Sequence, residues 1–154
     1  MQSNRVARPT ILGILVLFAS GLAGCGGPFV MIPGGQLSGP VLSAPSSWSF
    51  TDEVDTIQIE TRPADPYSVN VWGTASGSDL YIACGDPTSQ WCENLRANST
   101  ARVRIGEAIY RGSARLVEDP ATRERVLVDM KKKYDFEPSP EDKTRAELFV
   151  FRAE

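Results

Sequence analysis

The sequence contains no histidine. That one absence removes every catalytic triad with an imidazole base, every His-rich zinc site and every His-ligated haem within this polypeptide. Cysteine is scarce as well: Cys25, Cys84 and Cys92 are all there are, too few for a tetrahedral thiolate zinc site once Cys25 is set apart, so no metal is expected. A surplus of positive charge is also missing, with 16 Lys and Arg against 19 Asp and Glu. Nucleic acid is therefore excluded as a partner, because backbone binding needs clustered Lys and Arg. The basic run Lys131-Lys132-Lys133 falls inside a helical pattern and reads as a solvated helix face. Glu118-Asp119 and Glu141-Asp142 read as helix-start or loop residues rather than paired catalytic carboxylates. No internal repeat is present.

A spanning segment is lacking too. The apolar run Ile11 to Ala23 has 13 residues, against the roughly 20 that a transmembrane helix needs. Arg5 and Arg8 precede it, and the small residues Ala23 and Gly24 close it just before Cys25, which is the layout of a cleaved export signal. Leu22-Ala23-Gly24-Cys25 resembles the bacterial lipobox. The resemblance implies cleavage before Cys25, a diacylglycerol on its sulfur and an acylated amine, enough chains for firm anchoring. The expected organisation is a signal peptide over 1–24, a lipid-anchored flexible tether over 25–47 and one domain over 48–154. The expected location is the bacterial cell envelope, anchored by lipid and facing outside the cytoplasm, in an inner or outer membrane that the sequence does not specify.

Gly26 to Ser47 is rich in Gly, Pro and Ser, which suits a tether that holds the domain off the membrane. From Val54 the pattern turns strand-like. Val54–Glu60, Tyr67–Trp72 and Leu80–Cys84 alternate apolar and polar residues, as half-buried strands do, and the turn-prone Ser76–Asp79 closes a hairpin. Gly85–Ser89 breaks the third strand, and Thr88 or Ser89 caps a helix over Gln90–Ala97 with Trp91 and Leu95 on its buried face. Ala101–Ile105 and Ala108–Val117 form a hairpin across Gly106-Glu107. Asp119-Pro120 starts a second helix carrying Val126, Met130 and Tyr134 at helical spacing, and Glu147–Arg152 closes the chain as a sixth strand. In an exported protein Cys84 and Cys92 suggest a disulfide. Two buried thiols are the other reading, since Cys84 ends a strand and Cys92 opens a helix.

Three stretches taken together, Trp91-x-x-Asn94-Leu95-x-Ala97-Asn98, Val103-x-Ile105-Gly106 with Tyr110-x-Gly112-x-Ala114-x-x-Val117, and Phe149-Val150-Phe151-Arg152, resemble the pyridoxamine-phosphate-oxidase-like split-barrel superfamily. The nearest pattern within it is the flavin- and deazaflavin-dependent nitroreductase branch. The resemblance implies an α+β domain, a six-stranded antiparallel split β-barrel with two helices, which forms a homodimer and holds FMN or a deazaflavin.

A flavin needs donors for its phosphate, a flat apolar slot for its ring and polar groups at the ring edge. Arg62 would supply a guanidinium, Ser68 and Asn70 polar groups from the second strand, and the amides from Gly85 through Thr88 and Ser89 a small anion nest at the helix start. Trp91 would wall the ring and Asn94 would brace the helix. Family members commonly place Lys or Arg near this loop, whereas here Asp86 would repel a phosphate. Two functions therefore stay open. One is a membrane-tethered oxidoreductase that passes hydride or electrons to a small acceptor such as a quinone or nitro compound. The other is a noncatalytic envelope lipoprotein, without cofactor, that binds a small-molecule ligand or a protein partner in the same groove.

Overall fold

The computed structural model describes residues 32–154. Cys25 and the expected signal peptide lie outside the described residues. In chain order the elements are β1 (Val41–Leu42), a 3-10 turn (Ser49–Glu53), β2 (Ile57–Thr61), β3 (Tyr67–Val71), β4 (Gly73–Ser76), β5 (Asp79–Cys84), α1 (Gln90–Ala97), β6 (Thr100–Ile105), β7 (Ala108–Leu116), α2 (Pro120–Tyr134), α3 (Pro140–Arg145) and β8 (Glu147–Ala153). Seven strands follow one another across the sheet in the order β3-β2-β6-β7-β8-β5-β4, all antiparallel, and β1 adds in parallel to β7. The domain is thus the expected α+β split barrel, with eight strands and three helices among the described residues rather than six and two.

Local chemistry accounts for the agreements. Helix α1 runs over Gln90–Ala97 as its punctuation implies, with Ser89 in the N-cap position. The β6–β7 hairpin turns at Gly106 with φ +60°, a backbone region that glycine enters without a steric penalty. Asp119 caps α2 by accepting from the Thr122 amide at 2.8 Å, and Pro120 occupies the first helical turn.

The differences are equally physical. Strand β4 is Gly-Thr-Ala-Ser, too small and polar to signal a strand, yet it is paired along its length with β5. The hairpin that ends in β5 therefore begins with β4, while β3 pairs with β2. Helix α3 lies in the Pro- and Glu-rich stretch read as a connection.

The described part of the expected tether is laid on the sheet. Gly34 exchanges backbone hydrogen bonds with Ser68, Leu37 is 1% exposed, Ile109 donates to the Pro40 carbonyl, and β1 pairs with β7. These residues form a strap across β3, β2, β6 and β7. It is held mostly through main-chain groups, which is why a Gly- and Pro-rich sequence does not betray it.

Strand alternation divides the core in two. Leu80, Ile82, Ile57, Ile59, Val103, Phe149 and Phe151 fill the barrel. Tyr81 and Leu148 face outward and are covered by Val126 and Met130 of α2. Fully burying each such side chain contributes about 1.5–3 kcal/mol. The disulfide between Cys84 and Cys92, with Cα atoms 6.4 Å apart, fastens the end of β5 to the first turn of α1, which resolves the two readings of that pair.

Candidate functional site

The two ends of the sheet, β3 and β4, are consecutive in the chain and separated by Trp72 alone. The Ala83 amide of β5 donates to the Trp72 carbonyl at 3.1 Å. Where β3 and β5 part, a cavity of about 1040 Å³ opens, bounded by Asn70, Val71 and Trp72 on one side and by Ala83 and Gly85 on the other. Its volume is at the upper end of the roughly 300–1,000 Å³ usual for small-molecule sites.

The walls are mainly apolar. Trp72 stacks on Tyr134 with centroids 4.6 Å apart and planes 11° from parallel, and Phe136 leans on the same indole at 5.2 Å. Trp91 packs against Phe149 at 5.9 Å inside the barrel while presenting an edge to the cavity. One polar row crosses this lining. Asn70 lies opposite Gln58 and Gln58 opposite Arg104 in the β3-β2-β6 register, so all three project from one face. Gln58 Nε2 donates to Asn70 Oδ1 at 3.0 Å, and Arg104 Nη1 to the Ser38 carbonyl at 3.4 Å. No carboxylate, thiol or imidazole belongs to the described residues that line the cavity. These walls can hold and orient a molecule but offer no acid–base pair or strong nucleophile.

Helix α2 is fixed beside the cavity by two polar side chains at its end. The Tyr134 hydroxyl donates to the Gly73 carbonyl and accepts from the Gly73 amide, both at 2.9 Å. Burial pushes its pKa up. Lys133 Nζ donates to the carbonyls of Thr51 and Gly73 at 2.6 Å each. Burial pushes the ammonium down, partly opposed by Asp52 and Asp55. Lys133 is therefore an anchor, and the solvated-face reading of the lysine run does not hold at that position.

Of the eight expected cofactor residues, Asn70, Gly85 and Trp91 line the cavity; the other five do not. Arg62, with φ +56°, folds back on its own turn, pairing with Asp65 at 2.8 Å and lying over the Tyr67 ring at 5.4 Å. The Ser68 hydroxyl donates to the Gly35 carbonyl of the strap at 2.7 Å. Asn94 donates to Thr61 Oγ1 at 2.9 Å and so ties α1 to the end of β2. The Ser89 hydroxyl donates to the Cys92 sulfur at 3.0 Å.

Thr88 turns on Asp86, whose Oδ1 accepts from the Thr88 hydroxyl at 2.8 Å, the Thr88 amide at 3.1 Å and Arg145 at 2.8 Å. These bonds, the Thr88 hydroxyl first, hold the Asp86 carboxyl below its ordinary pKa. The loop expected to cradle a phosphate thus already contains its own anion. Gln58, Trp72, Arg104 and Phe136 were missed as site residues. The strand alternation of Gln58 carries the only sequence signal, because pairing β2 with β6 depends on register.

A flavin can be tested against this lining. The cavity is roomy and has Trp72, Phe136 and Trp91 in its lining, aromatic surface of the kind that a ring packs on, and the Asn70-Gln58-Arg104 row supplies polar groups for a ring edge. The phosphate does not fit the Gly85–Ser89 loop, and among the described residues that line the cavity Arg104 is the sole cation.

No protein-family model matches the sequence, and no curated protein is similar to it. Among solved structures the chain is similar to a Listeria innocua protein provisionally assigned as a pyridoxamine 5'-phosphate oxidase, with 19% identity and a TM-score of 0.55 over 67% of this chain and 86% of that one. It is similar to an F420 reductase with 20% identity and a TM-score of 0.53, covering 71% of this chain and 95% of the other. A domain-swapped dimer is matched with 20% identity and a TM-score of 0.53, over 64% and 81% of the two chains. The fold is the split barrel of pyridoxamine 5'-phosphate oxidase-like proteins.

Proposed function

We propose that this chain is a lipid-anchored envelope module that binds one flat, mainly apolar small molecule at the split of its barrel. The supporting observation is the character of the cavity: aromatic walls, a polar row ending in one guanidinium, and no carboxylate, thiol or imidazole among the described residues of its lining. The anchor is the diacylglycerol implied at Cys25. The module is a homodimer in this reading, in keeping with the domain-swapped dimer among its structural neighbours. The residues that would hold the ligand are Trp72 and Phe136 on the ring, Trp91 at its edge, and Asn70, Gln58 and Arg104 on its polar groups.

A second reading is a flavin- or deazaflavin-dependent oxidoreductase acting on a small acceptor. The likeness to an F420 reductase favours it. Affinity for FMN and for riboflavin, which shares the ring but lacks the phosphate, separates the two. Under the binding reading riboflavin or a simple quinone quenches tryptophan fluorescence saturably, FMN binds no more tightly than riboflavin, and Trp72→Ala abolishes the saturation. Tight FMN or deazaflavin binding with turnover of a quinone would establish the enzyme instead. A chain that ignores every planar probe would overturn the site itself.

A further inference from the structure

Between Arg8 and Asp52 the sequence carries no Asp, Glu, Lys or Arg. The described part of this uncharged stretch is the strap, the residues that follow it and the first three residues of the 3-10 turn. It bears large apolar side chains that the fold leaves in solvent: Val41 is 45% exposed, Leu42 48% and Phe50 40%. They adjoin one another. Leu42 is the register partner of Tyr110, and Phe50 packs on that same ring with centroids 6.3 Å apart. Val41, beside Leu42 in β1, sits opposite Ile109. Together they make an apolar edge at the mouth of the barrel, where Trp48 closes the core against Tyr110 and Phe151.

We propose that this edge rests on the lipid bilayer, so that the domain lies against the membrane with β1 and Phe50 facing the lipid. The inference rests on the reading of Cys25 as the lipid site. Sequence distance supports it. Cys25 precedes Ile32, the first described residue, by seven positions, a reach of at most about 25 Å for extended chain. Because the strap is fastened to the sheet from Gly34 onward, the remaining linker is too short to hold the domain far from the surface.

Charge sets the kind of surface. Asp52 and Glu53 follow the edge directly, and Asp52 acts on the ammonium of Lys133. Lys133, from the Lys131-Lys132-Lys133 run, comes beside the edge, but its ammonium is turned in on the Thr51 and Gly73 carbonyls, so the contact proposed is through the exposed apolar side chains, as for interfacial segments that bury such side chains at the headgroup boundary. Among the described residues no helix is long and apolar enough to cross a membrane, so surface contact and anchor act together.

The test uses the full chain with its anchor in phosphatidylcholine vesicles, carrying a nitroxide at Leu42→Cys or, separately, at Glu93→Cys. Glu93 is an exposed residue of α1, which is tied to the Thr61 end of the barrel. The native Cys84 and Cys92 are bonded and fully buried, so the label goes to the new thiol. Expected is relaxation at position 42 mainly by oxygen and at position 93 mainly by a water-soluble nickel chelate. Relaxation of both positions by nickel, with the chain still floating with vesicles, would overturn the proposal and leave the anchor standing. A chain that does not float would overturn both. A label at position 42 shielded from both relaxers would mean that a second copy covers the edge, which also overturns the proposal.

Discussion

Arg102 grips both carboxylate oxygens of Glu60, at 3.0 and 3.1 Å, underneath the strap. Its other terminal nitrogen donates to the Leu37 carbonyl, and the Leu37 amide donates to Glu60. One ion pair thus reads both main-chain groups of a residue more than twenty positions away. Glu60 is only 4% exposed. Glu60→Ala leaves the partly buried Arg102 guanidinium without its partner and is expected to cost about 2–3 kcal/mol, read as a lower urea midpoint. The Leu37 amide should exchange with deuterium far faster in this variant; unchanged exchange would show that the strap is held by other contacts.

The Cys84–Cys92 bond closes a short loop and both sulfurs are inaccessible. Removing it through Cys84→Ala with Cys92→Ala is expected to cost about 2–3 kcal/mol by loop entropy. In the folded protein the bond should resist dithiothreitol until denaturant opens the domain. Rapid reduction under native conditions, followed by mass after alkylation, would count against that.

Asp119 and Asp86, together with Glu137 beside Lys131, contribute to the acid limb. Both aspartate carboxyls lie below their ordinary value near 3.8, Asp119 chiefly through the Thr122 hydroxyl and amide, Asp86 chiefly through those of Thr88. A depressed folded pKa means that the unfolded chain binds the proton more readily. The stabilisation is whole above the ordinary value and is lost as pH falls through the lower, folded one. Asp119→Asn keeps a side-chain cap acceptor without the titration. Its melting temperature should therefore fall less between pH 5 and pH 2 than that of the parent chain, and parallel curves would contradict the assignment.

Gly112 stands where β7 is flanked by β6 and β8 at once, opposite Ala101 and Ala153. A Cβ there would land on the Arg152 carbonyl oxygen, which is backbone and cannot swing away. Gly112→Ala should cost about 1–3 kcal/mol or more, whereas Gly77→Ala, whose Cβ would meet nothing within 4 Å, would suffer only the strain of its φ of +64°. Equal unfolding midpoints for the two would refute this close approach.

Legibility in the sequence followed the range over which each signal acts. Helix α1 and the β6–β7 hairpin are bounded by Gly85–Ser89 and Gly106-Glu107, local chemistry that needs no partner. Strands β1 and β4 exist because β7 and β5 offer them hydrogen bonds; the two residues of β1 are too few, and the residues of β4 too small, to announce a strand. The same divide runs through the site. Trp91 was legible from helix periodicity, and Asn70 and Gly85 from their strand and turn settings. The Gln58–Arg104 relation depends on which strands pair. Arg62 and Ser68 looked available only because the Asp65 turn and the strap that occupy them are invisible to a reading by composition.

Strand β8 lies between β7 and β5, joining Leu116 to Phe149 on one side and Leu80 to Phe151 on the other. Without residues 147–153, β5 with β4 has no strand pairing to the rest of the sheet and keeps only the Ala83–Trp72 bond and the disulfide to α1, and the barrel interior lacks Phe149 and Phe151. The order in which the chain emerges therefore delays its folding. Closing the barrel waits on pairs as far apart in the chain as Leu80 and Phe151, and a fragment that stops short of β8 would be left with an open sheet.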